Sequence, residues 1–198
     1  MVQTLQQMDV LVDRRPRSIE LFMRISAASI EDVFGIAPDD LAAADGRVYF
    51  GALRETGTFD FGDAMIADTR LRLAGETQPL EAMSVMVHPV DNQLPFETPL
   101  DGNIAMAVCN VPDPVVPPTM DELVLYTGFI SYPATGPGDI TLRMPNTVPV
   151  SMSVSIFDDG RFVESITVDA AQNQEVLIAA KGAVAEENWL GRLWQVFR

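Results

Sequence analysis

Apolar and polar positions alternate most clearly over residues 18–26, where Ile19, Leu21, Met23 and Ile25 take one face and Glu20, Phe22 and Arg24 the other. A period of two sustained over that length predicts a half-buried strand. Residues 8–13 predict its partner, joined to it across Arg14-Arg15-Pro16-Arg17, a basic cluster that reads as a solvated turn stiffened by Pro16. Further strands are predicted over 47–53, 56–61, 69–74, 80–87 and 103–111, each bounded by turn residues. The alternation returns at Val150, Met152, Val154 and Ile156, interleaved with Ser151, Ser153 and Ser155. Asp158-Asp159-Gly160 supplies a turn, and Phe162, Ile166 and Val168 bring the chain back, with Glu164 breaking the pattern on that face. The result is a predicted hairpin with one core face and one serine-lined face. With 121–132, 139–144 and 174–180 it is expected to form a small antiparallel sandwich.

Helical signals are fewer. Ser29 with Asp32 resembles a capping box, Pro38-Asp39-Asp40-Leu41 suits a first turn, and Asp45-Gly46 suits a stop. Gly35 and Pro38 interrupt this stretch, so short helices are predicted within 29–45. At 100° per residue, positions 185–198 gather Trp189, Leu190, Leu193, Trp194, Val196 and Phe197 into one apolar arc. Glu186 and Glu187 stand at its start and Arg192 and Arg198 towards its end, the order a helix dipole favours. An isolated helix of this length does not persist in water, so its aromatic face needs a cover.

These elements define a mainly β fold class: antiparallel β-sandwich-like modules with short helices near 29–45 and a C-terminal amphipathic helix. Four prolines in the seven residues 112–118 make an extended, stiff run, read as a linker. The expected organisation is a β-rich unit with short helices over 1–111, the linker 112–118, a small antiparallel β unit over 119–182 and the helix over 183–198.

Composition narrows the function more by exclusion than by indication. The 198 residues are 47% hydrophobic, enough for a substantial core, yet no stretch approaches the apolar run that spans a bilayer. The first residues carry no basic segment followed by an apolar one, so no signal peptide is read, and a cytoplasmic or particle-assembled setting is expected. A net charge of −15 disfavours nucleic-acid binding, which needs Lys and Arg to displace counterions. No Lys or Arg falls between Arg72 and Arg143, while nine acids do, an interval read first as a solubilising surface and second as a site for cations or a basic partner.

Chemical equipment is sparse. His88, the single histidine, precedes Pro89 with Asp91 close by, but no Gly-x-Ser-x-Gly elbow presents a serine to it, and it reads as a hydrogen-bonded strand-end residue. Cys109, the single cysteine, lies in an apolar run without a neighbouring cation to stabilise a thiolate. One histidine and one cysteine exclude a closed zinc site, and neither Asp158-Asp159-Gly160 nor Asp39-Asp40 has calcium-loop spacing. No cofactor, metal or catalytic residue is assigned. A carboxylate-pair hydrolase survives only because acids are abundant.

The sequence therefore points to a non-catalytic structural or interaction protein that docks into a larger protein assembly, through Trp189, Leu190, Leu193, Trp194 and Phe197. By analogy alone, virion, tail and appendage components share this β-rich, motif-free character. The partner is expected to be another protein or a further copy of the chain. A binding module for a small ligand or carbohydrate is the alternative. Membrane contact through the helix is disfavoured because its two arginines are balanced by two glutamates.

Overall fold

The computed structural model describes residues 5–37, 42–49, 58–108, 116–132 and 138–180. These residues are mainly β and contain the strands β1 (Gln6–Arg14), β2 (Ile19–Ser26), β3 (Arg70–Leu73), β4 (Glu76–Gln78), β5 (Glu81–Pro89), β6 (Leu123–Ser131), β7 (Ile140–Arg143), β8 (Val150–Asp158), β9 (Arg161–Ala170) and β10 (Glu175–Ala179). They form a six-stranded sheet in the order β5-β6-β2-β1-β8-β9 and a four-stranded sheet in the order β10-β7-β3-β4.

The two hairpins expected from alternation are present. β1 pairs antiparallel with β2 from Met8↔Ile25 to Arg14↔Ile19, and β8 pairs antiparallel with β9 around the Asp158–Gly160 turn. The all-antiparallel expectation needs one correction, because β1 and β8 run parallel, in register from Gln6↔Val150 to Arg14↔Asp158. The reason is periodicity. Met8, Val10 and Val12 fall opposite Met152, Val154 and Ile156, so both strands bury their apolar sets on the same face.

Two predicted strands are helices. The segment predicted as a strand over 56–61 overlaps α2 (Thr58–Ala67 in the chain), and most of that predicted over 103–111 lies in the helix Pro99–Ala107. We label the helices in chain order: α1 (Ile30–Phe34), α2 (Thr58–Ala67) and α3 (Pro99–Ala107). In α3 the decisive signal lies upstream of the apolar run. Thr98 accepts from the Asp101 amide at 3.2 Å while Asp101 accepts from the Thr98 amide at 2.8 Å, and Pro99 occupies a position where no donor is needed. In α2 the spacing of Phe61 and Met65 is helical. Gly62 lets the helix lie close on β5, since a Cβ there would come within 2.8 Å of that of Ala82.

In the described part of 29–45 the first of the expected short helices is present. A 3-10 turn at Ala27–Ser29 leads into α1, which stops at Gly35 in the left-handed conformation (φ 70°). The Ser29 hydroxyl does not cap it but donates to Gln6 Oε1 at 2.7 Å. Residues 42–49 carry the Asp45-Gly46 turn and an isolated bridge from Arg47 to Thr119, in place of the predicted start of a strand. Positions 38–41 lie outside the described residues.

One buried cluster draws Val10, Leu21, Met23, Leu125 and Val154 from the large sheet and Leu71, Ile140, Leu142 and Ile178 from the small one. The opposite face of the large sheet has a second cluster, in which Leu11, Phe22, Tyr126 and Phe157 meet Phe96, Ala105 and Met106. Phe22, on the nominally polar face of its strand, is therefore buried beneath α3. Among the described residues, each sheet and the larger core cluster draw on strands from both sides of the 112–118 run. Residues 112–115 and 183–198 lie outside the described residues.

Candidate functional site

Three places on the large sheet concentrate chemistry or exposure. The first is the face beneath α3. Register puts Asp9 opposite Arg24, and Arg24 donates to Asp9 Oδ2 from Nε at 2.9 Å and from Nη2 at 2.7 Å. Its guanidinium also lies 5.3 Å from the centroid of the Phe96 ring. Burial pulls the Arg24 pKa down, but Asp9 and the Tyr126 hydroxyl outweigh that and leave it raised. Tyr126 donates to the Leu94 carbonyl at 3.1 Å and meets Phe96 and His88 edge-on, and burial leads in holding its hydroxyl above the ordinary tyrosine value.

His88 belongs to this cluster. It is buried, with Nε2 at 2.8 Å from the carbonyl oxygen of Ala105. A carbonyl only accepts, so Nε2 carries the proton and donates. Ala105 is in the last turn of α3, where carbonyls lack intrahelical partners, so the histidine caps a helix end. Its hydrogen bond goes to the helix and not to Asp91. Cys109 lies outside the described residues.

The second place is the end of the sheet where both hairpin turns meet. Register sets Asp13 opposite Glu20, two like charges, and Arg15 sits between them with Nε 3.0 Å from Asp13 Oδ2 and 3.1 Å from Glu20 Oε1. Asp13 is fully buried; its Oδ1 accepts from the Gly160 amide at 3.0 Å, while Oδ2 faces the Arg15 charge without an aimed hydrogen bond. Burial is the main reason Glu20 is raised above the usual carboxylate value, with the charge of Asp13 adding to it and Arg15 opposing. Next to this, Arg14 Nε lies 2.6 Å from Asp158 Oδ1, and Arg14 Nη1 donates to the carbonyl of Ala180 at 2.5 Å. The expected solvated basic turn is thus, at Arg14 and Arg15, a clasp joining two hairpins and the end of β10. A buried Asp13 cannot serve a substrate in water as nucleophile or base, so the clasp does not supply a hydrolase pair.

The third place is β9. It forms one edge of the large sheet, and among the described residues no strand pairs with its outer side. Phe162 and Val163 are 62% and 44% exposed, Phe162 resting edge-on against Phe157 with centroids 5.7 Å apart. The register shifts between Ile156 and Phe157, a bulge that turns this end of the hairpin out of the regular pleat. The serine face is tied to the same strand. Ser151 donates to Asp169 at 2.6 Å, and Ser155 and Ser165 share a hydrogen bond of 2.9 Å.

The acidic interval is partly explained by local caps. Asp101 is held below its usual value chiefly by the Thr98 hydroxyl, Asp121 chiefly by the Thr119 hydroxyl, and Glu122 chiefly by the Thr119 amide. Among the described residues, no group of three or more His, Cys, Asp or Glu side chains gathers as a metal site would require. No helix of the described residues is long and apolar enough to cross a membrane.

The residues expected to make the contact surface, Trp189, Leu190, Leu193, Trp194 and Phe197, lie outside the described residues. Sequence reasoning missed the exposed end of β9 and the Asp13 clasp. The available signal for the first was Glu164 breaking the alternation beside Phe162 and Val163. No protein-family model matches the chain, and no curated protein sequence matches it.

Proposed function

We propose that the protein is a non-catalytic structural or interaction protein, a sandwich-like β scaffold that joins a larger protein assembly through the aromatic residues of segment 185–198. The observation that carries this reading is the outer edge of β9, unpaired among the described residues and with Phe162 and Val163 exposed, beside the point where the chain leaves β10. Long uncovered edges invite pairing with other chains, and aromatic side chains dominate the energetics of protein contacts. The chemistry of the buried polar groups supports the same reading. His88 caps a helix, and Asp13, Arg15 and Glu20 hold turns together.

Light scattering after size exclusion tests it, comparing the full chain with a full-length Trp189→Ser/Trp194→Ser variant. Association by the wild type that the variant loses, with its circular dichroism unchanged, supports the reading. A wild type that is monomeric across its soluble range removes the self-assembly form of it.

A further inference from the structure

We propose that copies of this chain associate head to tail, the outer face of the four-stranded sheet of one copy seating on the exposed stripe of α3 of the next. This rests on the reading of the protein as an assembly component and adds a contact that does not involve segment 185–198.

The four-stranded sheet has an apolar side, where Leu71, Ile140, Leu142, Val176 and Ile178 are buried in the larger core cluster. The alternate positions point away from that core and fall in two rows. Glu175, Arg143 and Arg70 lie side by side on β10, β7 and β3; Leu177, Thr141, Arg72 and Thr77 lie side by side on β10, β7, β3 and β4. Three guanidinium groups thus share these rows with one carboxylate, on a chain whose net charge is −15. Arg72 is paired with Glu175 at 3.3 Å. Arg70 donates to the carbonyls of Ala67 and Thr69, and Arg143 to the side-chain oxygen of Asn173, all neutral acceptors. Arg70 and Arg143 stand directly opposite one another, a like-charge arrangement that is destabilising by itself. The Glu175 carboxyl lies below its usual value, held there first by the Thr141 hydroxyl and then by Arg72 and Arg143. Leu177, 46% exposed, adds an apolar contact among the arginines, a composition that suits a protein interface.

α3 offers the complement. Pro99, Gly102, Ala105 and Met106 are buried, which leaves Leu100, Ile104 and Ala107 on the outer side at helical spacing. Leu100 and Ile104 are 67% and 44% exposed. Glu97 and Asp101 flank this stripe at the start of the helix, where the Glu97 amide donates to the Asp101 carboxylate at 3.2 Å. No Lys or Arg falls between Arg72 and Arg143, so neither α3 nor the chain on either side of it carries a cation. Arg24, beneath Phe96, is engaged by Asp9.

Charge selects both the partner and the polarity. Two-fold pairing of either surface with itself would set arginine against arginine or carboxylate against carboxylate. Opposite signs match the sheet of one copy to the helix of another. The placement suits this, because the four-stranded sheet contributes to the cluster on one face of the large sheet and α3 to the cluster on the other. The two surfaces therefore look in opposite directions, and one copy can use both at once. Such a contact is heterologous and either repeats along a stack or closes a ring.

Light-scattering mass over a concentration series in low salt tests the contact, using the full-length wild type, Arg143→Glu and Glu97→Arg. Both positions are exposed, so neither variant opens the core, and circular dichroism checks that each is folded. Arg143→Glu makes the chain more negative and Glu97→Arg less so. General repulsion therefore predicts opposite effects, whereas the contact predicts loss in both. The expected result is a wild-type mass that rises with concentration and two variants that each stay at the mass of one chain. Mixing the variants should restore association, because the first keeps its α3 surface and the second its sheet face. Association weakened by Arg143→Glu but strengthened by Glu97→Arg would overturn the contact in favour of general repulsion. Association untouched by both variants would overturn the contact and leave assembly through segment 185–198 standing. A wild type that stays at the mass of one chain would also overturn it, and would leave the assembly reading only with a different protein as partner.

Discussion

The carboxylate of Asp13 and the backbone amide of Gly160 are 147 positions apart in sequence and 3.0 Å apart in the fold. The bond ties the end of the first hairpin to the turn of the β8–β9 hairpin, where the parallel β1–β8 pairing reaches its last register pair, Arg14↔Asp158.

That bond makes Asp13 a test of how the two hairpins are held. Asp13→Ala removes the acceptor from Gly160 and the partner of Arg15 together, and should cost about 2–3 kcal/mol. Asp13→Asn keeps an acceptor for Gly160 and relieves the repulsion with Glu20, so its cost should stay within about 1 kcal/mol. Urea unfolding of the two variants checks the order. Equal losses would show that charge, not the bond to the turn, is what Asp13 contributes.

Glu20 gives stability a pH dependence opposite to that of an ordinary ion-paired carboxylate. Burial raises its folded pKa, so the folded state binds its proton more tightly than the unfolded chain does. The corresponding stability is fully present below the unfolded value and is lost as pH rises through the folded one. Glu20→Gln does not titrate, so its stability relative to the wild type should climb as pH rises from about 4 towards neutrality. Loss of the contact with Arg15 sets the offset between the two curves but not this slope. Urea midpoints across that pH range provide the check; a difference that is flat or declines with pH contradicts the assignment.

His88 should be worth its hydrogen bond and no more. His88→Phe keeps a ring against Tyr126 but leaves the Ala105 carbonyl unpaired in a buried place, a loss of about 1–3 kcal/mol. Amide exchange should localise the effect to the last turn of α3. Unchanged stability and exchange would mean that the carbonyl finds another donor.

Local pattern disclosed the hairpins because their faces are strictly periodic: Ile19, Leu21, Met23 and Ile25 in one, Val150, Met152, Val154 and Ile156 in the other. It misassigned α3 because Ile104 and Met106 alternate as a strand would, while the decisive information was the Thr98–Asp101 capping box upstream. It could not disclose which strands are neighbours. The parallel contact of β1 with β8 is set by matching two apolar faces far apart in sequence, and no residue near either strand encodes it. The clasp was hidden for the same reason: Arg14-Arg15-Pro16-Arg17 is a solvated turn by composition, and only the approach of Gly160, Asp158 and Ala180 changes the role of Arg14 and the setting of Asp13. The exposed end of β9 was partly legible, since Glu164 interrupts the hairpin's alternation where the bulge occurs.

Two glycines separate a rigid close approach from a forgiving one. A Cβ on Gly102 of α3 would lie 2.7 Å from Cγ of Phe22, whose ring is fully buried between helix and sheet. The ring has nowhere to withdraw, so Gly102→Ala should suffer an overpacking cost of about 1–3 kcal/mol. Alanine's better helix propensity offsets about 1 kcal/mol at most. A Cβ on Gly128 of β6 would meet Met106 even more closely, at 2.6 Å, but the atoms it meets are Cε and Sδ at the end of a flexible side chain. Methionine can swing that end aside, so Gly128→Ala should cost less than Gly102→Ala despite the shorter contact. Thermal unfolding of both variants decides the matter: a lower melting temperature for Gly128→Ala than for Gly102→Ala would mean that the space around Met106, not the Phe22 ring, is the tighter constraint on the seat of α3.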